Sequence, residues 1–123
     1  MFIGKLSEKS GVSVKTIRFY EEIALIKRPQ RSGKYRVYDD SYIEILTMIK
    51  LAKTYGFTLK ELTALATEKA QHGLIPIDLL RNEIDKKREI HIKHIQEIEL
   101  KLVGLTDLEA RVARYNQCLL EDS

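Results

Sequence analysis

The chain has 123 residues, of which 32% are charged and 44% hydrophobic, with one cysteine, no tryptophan and a formal net charge of +3. That length suits one ordinary domain, or a small domain carrying an extended element. The lone cysteine excludes an intramolecular disulfide framework and a Cys-rich zinc site. No apolar run approaches the ~18 residues needed to cross a bilayer. Met1-Phe2-Ile3-Gly4-Lys5 lacks the apolar stretch of a signal peptide, so the expectation is a soluble cytoplasmic protein with no membrane partner.

The net charge is a sum of opposites. Residues 1–60 hold 12 Lys/Arg against 6 Asp/Glu, whereas residues 61–123 hold 9 against 12. A basic half joined to a mildly acidic half suggests a polyanion-binding module on a different kind of scaffold. The sequence has no internal repeat. It divides at Gly73-Leu74-Ile75-Pro76, because Gly73 suits the position just past a helix end and Pro76 the first turn of the next helix. The expected organisation is a compact unit over 1–72, then a linker, long helix and short tail over 73–123.

The first helix is predicted over Ile3–Ser10. Gly11 supplies a tight turn, Val12 plugs it, and Ser13 is a good N-cap for a second helix from Val14 to about Glu22. Two short helices joined by such a turn make a helix-turn-helix pattern. On the second helix Val14, Ile17 and Glu21 share a face by their spacing, with Val14 and Ile17 turned inward. Lys15, Arg18 and Glu22 share another. Cations on the N-terminal turns of such a helix are what a major-groove reader needs, Arg or Lys to guanine being the commonest specific contact. A merely solvated basic face would show the same residues.

From Leu25 to Tyr38 the chain reads as a basic hairpin. Ser32-Gly33 is its turn signal, Tyr35 to Tyr38 alternate as a strand would, and Pro29 limits pairing of the first strand. Lys27, Arg28, Arg31, Lys34 and Arg36 come without an acidic residue among them, which suits phosphate contact from a wing beside a helix-turn-helix. Asp39-Asp40-Ser41 offers N-caps for a third helix to about Tyr55, whose stripe is Tyr42, Ile45, Leu46, Ile49 and Ala52. Thr58-Leu59-Lys60-Glu61 is a capping box that opens a fourth helix to about Gln71.

The last element is predicted from Pro76 to about Tyr115, a rod of roughly 60 Å at ~1.5 Å per residue. Ile84, Arg88, His91, Ile95, Ile98, Leu102, Leu105, Glu109 and Val112 alternate by four and three, a heptad seam with three polar members. A small domain cannot cover both this seam and its flanks, so the sequence predicts a homodimer through the helix; the rival is a monomer whose helix folds back. Gly104 marks a bend or an end of the helix at a cost of about 1 kcal/mol.

Four motifs then carry a family resemblance. Ile3-Gly4-Lys5-Leu6, the run Gly11 to Glu22, Tyr35-Arg36-Val37-Tyr38, and the run Ala52 to Leu62 closely resemble the MerR family of bacterial transcription regulators. The resemblance covers about residues 2–71 in order. It implies a mainly α protein: a winged helix-turn-helix domain followed by a long antiparallel coiled-coil dimerisation helix. The implied partner is double-stranded DNA, a pseudo-palindromic site in an overlong promoter spacer. The dimer would bend and untwist that spacer so that RNA polymerase engages both promoter elements, activating or repressing, with recognition through shape as well as bases. Carried over by position, the DNA-binding residues are Ser13, Lys15, Thr16, Arg18 and Tyr20 on the recognition helix and Arg31, Lys34, Tyr35, Arg36 and Tyr38 on the wing. The dimerisation residues are Ile84, Arg88, His91, Ile95, Ile98, Leu102, Leu105 and Val112. Where the family usually has Gly, this chain has Ala24; a positive φ there costs about 1 kcal/mol.

The metal-sensing branch carries cysteines around the dimer helix, and Ile75 to Leu80 has none. Cys118 alone cannot supply the two thiolates of a soft-metal site, and an antiparallel dimer separates the two copies. An iron–sulfur cluster needs about four cysteines, and the residues after Tyr115 leave no room for a drug-binding domain. His91 and His94 are read as a polar patch on the seam rather than a metal pair. The expectation is therefore a short-form regulator with no cofactor and no metal ligands, with Cys118 as the candidate sensor if the protein is thiol- or metal-responsive. No phosphate loop, nucleophile elbow or catalytic triad appears, so no enzyme is expected. The remaining alternative is a coiled-coil adaptor that binds protein through the winged domain.

Overall fold

In a computed structural model, residues 1–122 are described. Helix α1 (Ile3–Ser10) meets α2 (Val14–Glu22) through Gly11-Val12-Ser13. Gly11 takes φ 71°, which ends α1 and sends its N–H back to the Ser7 carbonyl at 2.9 Å. Val12 is buried in the turn, with its N–H on Ser10 Oγ at 3.2 Å. Ser13 Oγ accepts the Thr16 N–H at 3.1 Å, satisfying a donor that the first turn of α2 leaves open.

The end of α2 sets the direction of everything that follows. The Glu21 carbonyl accepts the Ala24 N–H at 3.1 Å and the Tyr20 carbonyl accepts the Leu25 N–H at 2.9 Å. This is a Schellman closure, which needs a left-handed residue just past the helix. Ala24 fills that position at φ 59°. The turn delivers Leu25 and Ile26 to the core and leads the basic segment out to a hairpin.

The hairpin pairs β1 (Gln30–Ser32) with β2 (Tyr35–Val37), antiparallel, with Arg31 opposite Arg36 and Ser32 opposite Tyr35. Gly33 and Lys34 connect them; Gly33 at φ 61° fits the first central position of a II′ turn. The base of the hairpin is tied to the N-terminus: the Met1 ammonium donates to the Tyr38 carbonyl, and the Tyr38 N–H to the Met1 carbonyl, each at 2.7 Å.

Two longer helices complete the first unit. Helix α3 (Ser41–Thr54) starts behind Asp39, whose carboxylate accepts the Ser41 hydroxyl and the Ser41 N–H. These bonds hold the Asp39 carboxyl below the usual range. Helix α4 (Leu59–His72) carries both arms of the expected capping box: Glu61 N–H to Thr58 Oγ1 at 3.2 Å and Thr58 N–H to Glu61 Oε1 at 2.9 Å. The core gathers one or two residues from each of α1 to α4 and a few from the segments between them. Leu6, Ile17 and Leu46 are fully buried, with Val12, Tyr20, Tyr38, Ile49, Leu62 and Leu65 around them. At about 1.5–3 kcal/mol per buried aliphatic or aromatic side chain, this cluster is what holds the short helices together.

Helix α5 runs from Ile77 to Glu121. Pro76 lies just before it, its carbonyl accepting the Leu80 N–H at 3.1 Å, so the proline caps the helix rather than occupying its first turn. The helix passes through Gly104 without ending there and continues six residues beyond the expected Tyr115. The chain divides into two units, Met1–Ile84 and the part from Asp85 on. Leu79 and Leu80, in the first turn of α5, pack against the core of the first unit. In the second unit every described residue but Lys87 is exposed, and Ile95, Ile98, Leu102 and Leu105 are 56% to 62% accessible. Among the described residues no helix is long and apolar enough to cross a membrane.

Ala24 is exposed, so replacing it removes no packing. Ala24→Gly relieves about 1–2 kcal/mol of left-handed strain and makes the unfolded chain more flexible by about 0.4–1 kcal/mol. The expected outcome is a net gain of up to about 1.6 kcal/mol in a denaturant titration. A loss of stability would contradict strain at this position.

Candidate nucleic-acid interface

The recognition surface starts from the amphipathicity of α2. Ile17 is fully buried and Tyr20 and Glu21 lie inward with it, whereas Lys15, Arg18 and Glu22 are exposed. Lys15 and Arg18 form no ion pair with any described residue. Their ammonium and guanidinium groups are thus left to solvent, at the end of the helix where the open N–H groups also favour an anion. Ser13 and Thr16 are held together at the first turn, the Ser13 hydroxyl donating to Thr16 Oγ1 at 2.8 Å.

The wing presents Arg31, Lys34 and Tyr35 exposed, and Arg36 half-buried. Tyr35 rests against Phe2, ring centroids 5.6 Å apart. Lys27 and Arg28 lie on the loop that leads in, which Tyr42 anchors to α3 by donating its hydroxyl to the Lys27 carbonyl at 2.8 Å. No acidic side chain occurs between Ile23 and Tyr38.

Two residues expected on the DNA-facing surface sit elsewhere. Tyr38 is 1% exposed, beneath the wing, and its hydroxyl donates to Glu21 Oε1 at 2.6 Å. Burial, and then the bond to Glu21 and that carboxylate's charge, hold the phenol protonated far above its ordinary range. A hydroxyl spent in this way does not reach a phosphate; Tyr38 holds the wing instead. Tyr20 is 4% exposed and belongs to the core. Its spacing from Ile17 carries the inward face of α2 through Tyr20 and Glu21, a signal present in the sequence.

Glu21 itself is the residue whose role the sequence left unassigned. Its side chain is 3% exposed, and its second oxygen, Oε2, lies 3.2 Å from Arg36 Nε. Oε2 accepts no aligned hydrogen bond, so this contact is Coulombic rather than a directed bond. This carboxylate of α2 thereby touches two residues of the wing segment.

Lys50 and Lys53 also escaped the sequence reading. They line an open depression with Gly11, Ser13, Thr16 and Thr54, beside the helix-turn-helix turn. A Cβ on Gly11 would stand 3.0 Å from Lys50 Nζ, so the glycine leaves room for that ammonium as well as making the turn. Their i, i+3 spacing put both lysines on one face of α3, but only the fold brings that face to Ser13.

In the second unit the seam residues Arg88, His91, Ile95, Ile98, Leu102, Leu105 and Val112 lie exposed on α5, and Ile84 is half-buried at the end of the first unit. Arg88 pairs with Asp85 at 3.1 Å, and the His91 and His94 rings stand 6.4 Å apart. Cys118 is exposed.

Residues 1–69 match the family described as MerR HTH family regulatory protein. The chain is 35% identical over 113 residues to the HTH-type transcriptional regulator CueR of Yersinia pestis, covering 87% of this chain and 79% of that protein. Among solved structures it is similar to the transcription regulator PbrR691 from Ralstonia metallidurans CH34 in complex with lead(II). That likeness has a TM-score of 0.58 and 27% identity over 93% of this chain and 86% of the other. Its fold also matches HiNmlR, a MerR family regulator lacking the sensor domain, bound to promoter DNA, with TM-score 0.63 and 23% identity over 83% of this chain and 77% of the other.

Tyr38→Phe deletes the hydroxyl and leaves Glu21 Oε1 without its donor in a buried site. Hydrogen bonds to charged groups contribute about 1.5–3 kcal/mol. The expected loss is about 2 kcal/mol in urea, with an unchanged slope against denaturant. A loss below about 0.5 kcal/mol would mean that water replaces the hydroxyl at the carboxylate.

Proposed function

The chain belongs to the MerR family of helix-turn-helix regulatory proteins, and on that premise we propose that it acts as a cytoplasmic homodimer on a pseudo-palindromic site in a promoter spacer. It is a DNA-binding transcription regulator and not an enzyme. The observation that carries the reading is the set of cations on two adjoining elements: Lys15 and Arg18 on α2 and Arg31 and Lys34 on the wing, none ion-paired to a described residue, with Arg36 of the wing held to Glu21 of α2. Lys15 and Arg18 read base edges or adjacent phosphates, and the wing binds phosphate. Ser13 and Thr16 contact the backbone, and Lys50 and Lys53 add positive charge beside them.

The dimer is proposed through the α5 seam, antiparallel. Ile95, Ile98, Leu102 and Leu105 are exposed along one heptad pattern, an apolar surface that a second copy covers most economically. A dimer presents two recognition helices to two half-sites. The regulator bends and untwists the spacer between them, so that RNA polymerase engages both promoter elements.

A second reading adds a thiol or metal signal through Cys118. It draws support from the lead(II) complex of a similar regulator and from the exposure of Cys118. Native mass spectrometry with and without Cu(I) or Zn(II) tests it together with the dimer: a metal adduct lost in Cys118→Ser supports the sensor, and a monomer mass overturns the dimer.

The DNA reading is tested by a gel shift on the promoter of the chain's own gene at several salt concentrations. Arg36→Ala is expected to weaken binding to all sequences and to reduce the salt slope by about 0.9 per protomer. Lys15→Ala is expected to flatten discrimination between operator variants, by about 1–3 kcal/mol at the affected base pair. An unchanged slope in the first variant, or unchanged discrimination in the second, removes that residue from its role. A shift that does not depend on salt points to the protein-binding adaptor instead.

A further inference from the structure

We propose that Glu21 is the positioning residue of the wing: it grips Arg36 by the Nε edge of the guanidinium and so presents the opposite edge to a DNA phosphate. The proposal rests on the DNA-binding reading above. It begins with a carboxylate in an unusual place. Glu21 lies on the inward face of a helix whose outward face is cationic, and its side chain is 3% exposed. A charge that deep persists only when it is paired. Its two oxygens are divided between residues of one strand and its continuation: Tyr38 donates to Oε1 at 2.6 Å, and Arg36 Nε stands 3.2 Å from Oε2.

The wing needs such an anchor. Arg31 and Arg36 are direct cross-strand partners, and like charges in that relation repel. The hairpin has only three residues in each strand, too few ladder bonds to hold two arginines against each other. Glu21 offsets the repulsion from below on the Arg36 side. It also draws the Nε edge of the guanidinium, the edge nearest the stem, towards the carboxylate by charge. Neither Nη group donates a hydrogen bond to a described residue. They form the part of the planar fork that matches a phosphate. Arg36, at 34% side-chain exposure, is half sunk towards Glu21 and half open.

The charge of Glu21 makes the proposal decidable by sign. Removing a carboxylate near a DNA contact strengthens binding if only the overall field matters. It weakens binding if the carboxylate aims an arginine. One lost phosphate contact corresponds to a salt slope shallower by about 0.9, and so to roughly eightfold weaker binding per protomer at about 0.1 M salt.

The test measures binding of the full chain to a random-sequence duplex and to the promoter of its own gene across a salt series. The proteins are wild type, Glu21→Gln, Arg36→Ala and the double variant, each with its thermal midpoint recorded. Glu21→Gln is expected to bind roughly eightfold more weakly per protomer with a slope shallower by about 0.9. In the Arg36→Ala background it is expected to add nothing, because its effect passes through that arginine. Tighter or equal binding by Glu21→Gln, or losses that add independently in the double variant, overturns the proposal. Should Glu21→Gln melt below the working temperature, Tyr38→Phe takes its place in the same cycle: it keeps the charge, loosens the carboxylate, and is expected to show the same dependence on Arg36. Failure of the wild type to shift either duplex would instead sink the DNA-binding reading, a separate result.

Discussion

A buried carboxylate is costly unless its surroundings are built for it, and the first unit of this protein is arranged around one. Glu21 takes the Tyr38 hydroxyl, and Tyr38 is where several elements converge. Its backbone pairs with Met1, tying the N-terminus to the foot of the wing. Its ring stands edge-on to Tyr42 at 5.0 Å, and Tyr42 reaches across to the Lys27 carbonyl on the loop that enters the wing. Helix α2, the wing, the N-terminus and α3 are thus linked through one acid and two tyrosines. Burial raises both phenols above their ordinary range; the Glu21 bond and charge add to it at Tyr38, and the Asp39 and Glu21 charges at Tyr42. A raised phenol favours the fold below the unfolded tyrosine range and loses that contribution only as pH climbs through the folded value, so the linkage is intact at neutral pH.

The junction between α2 and the wing holds the opposite kind of feature, a local misfit. The Schellman closure demands a left-handed residue, and Ala24 supplies it with a Cβ that the conformation disfavours. About 1–2 kcal/mol of strain is tolerable against a folding stability on the order of 5–15 kcal/mol. It persists because the residues on both sides are fixed: Glu21 by Tyr38 before it, Leu25 and Ile26 by the core after it.

Local chemistry made most of the helix boundaries legible in the sequence. Ser13, Thr58 with Glu61, and Gly11 each act within a few residues of themselves, and each acts in the fold as its residue type dictates. What the sequence concealed depends on distant partners. Tyr38 lies one residue past the end of β2, so strand alternation has no hold on it. Its burial follows from Glu21, seventeen positions away. Lys50 and Lys53 gain meaning only when α3 meets the helix-turn-helix turn. Gly104 does not end α5, for a different reason. A single glycine costs about 1 kcal/mol in a helix, too little to end one flanked by Leu102, Val103 and Leu105 on one side and the other.

The division of charge along the chain acquires a structural meaning from the same acid. The wing segment concentrates cations without an acidic neighbour in sequence, which suits phosphate but burdens a three-residue hairpin with self-repulsion. Placing acids along the wing itself would relieve the repulsion and weaken attraction for DNA. Placing one beneath the wing, on the inward face of the recognition helix, relieves the arginine that has a like charge directly across the ladder and leaves Arg31 and Lys34 exposed to solvent. The counter-charge then serves the fold from the protein side, while the outward surface stays cationic. Because Glu21 belongs to α2, the wing's charge is balanced by that helix, and the two elements proposed to meet one duplex are joined by a single side chain.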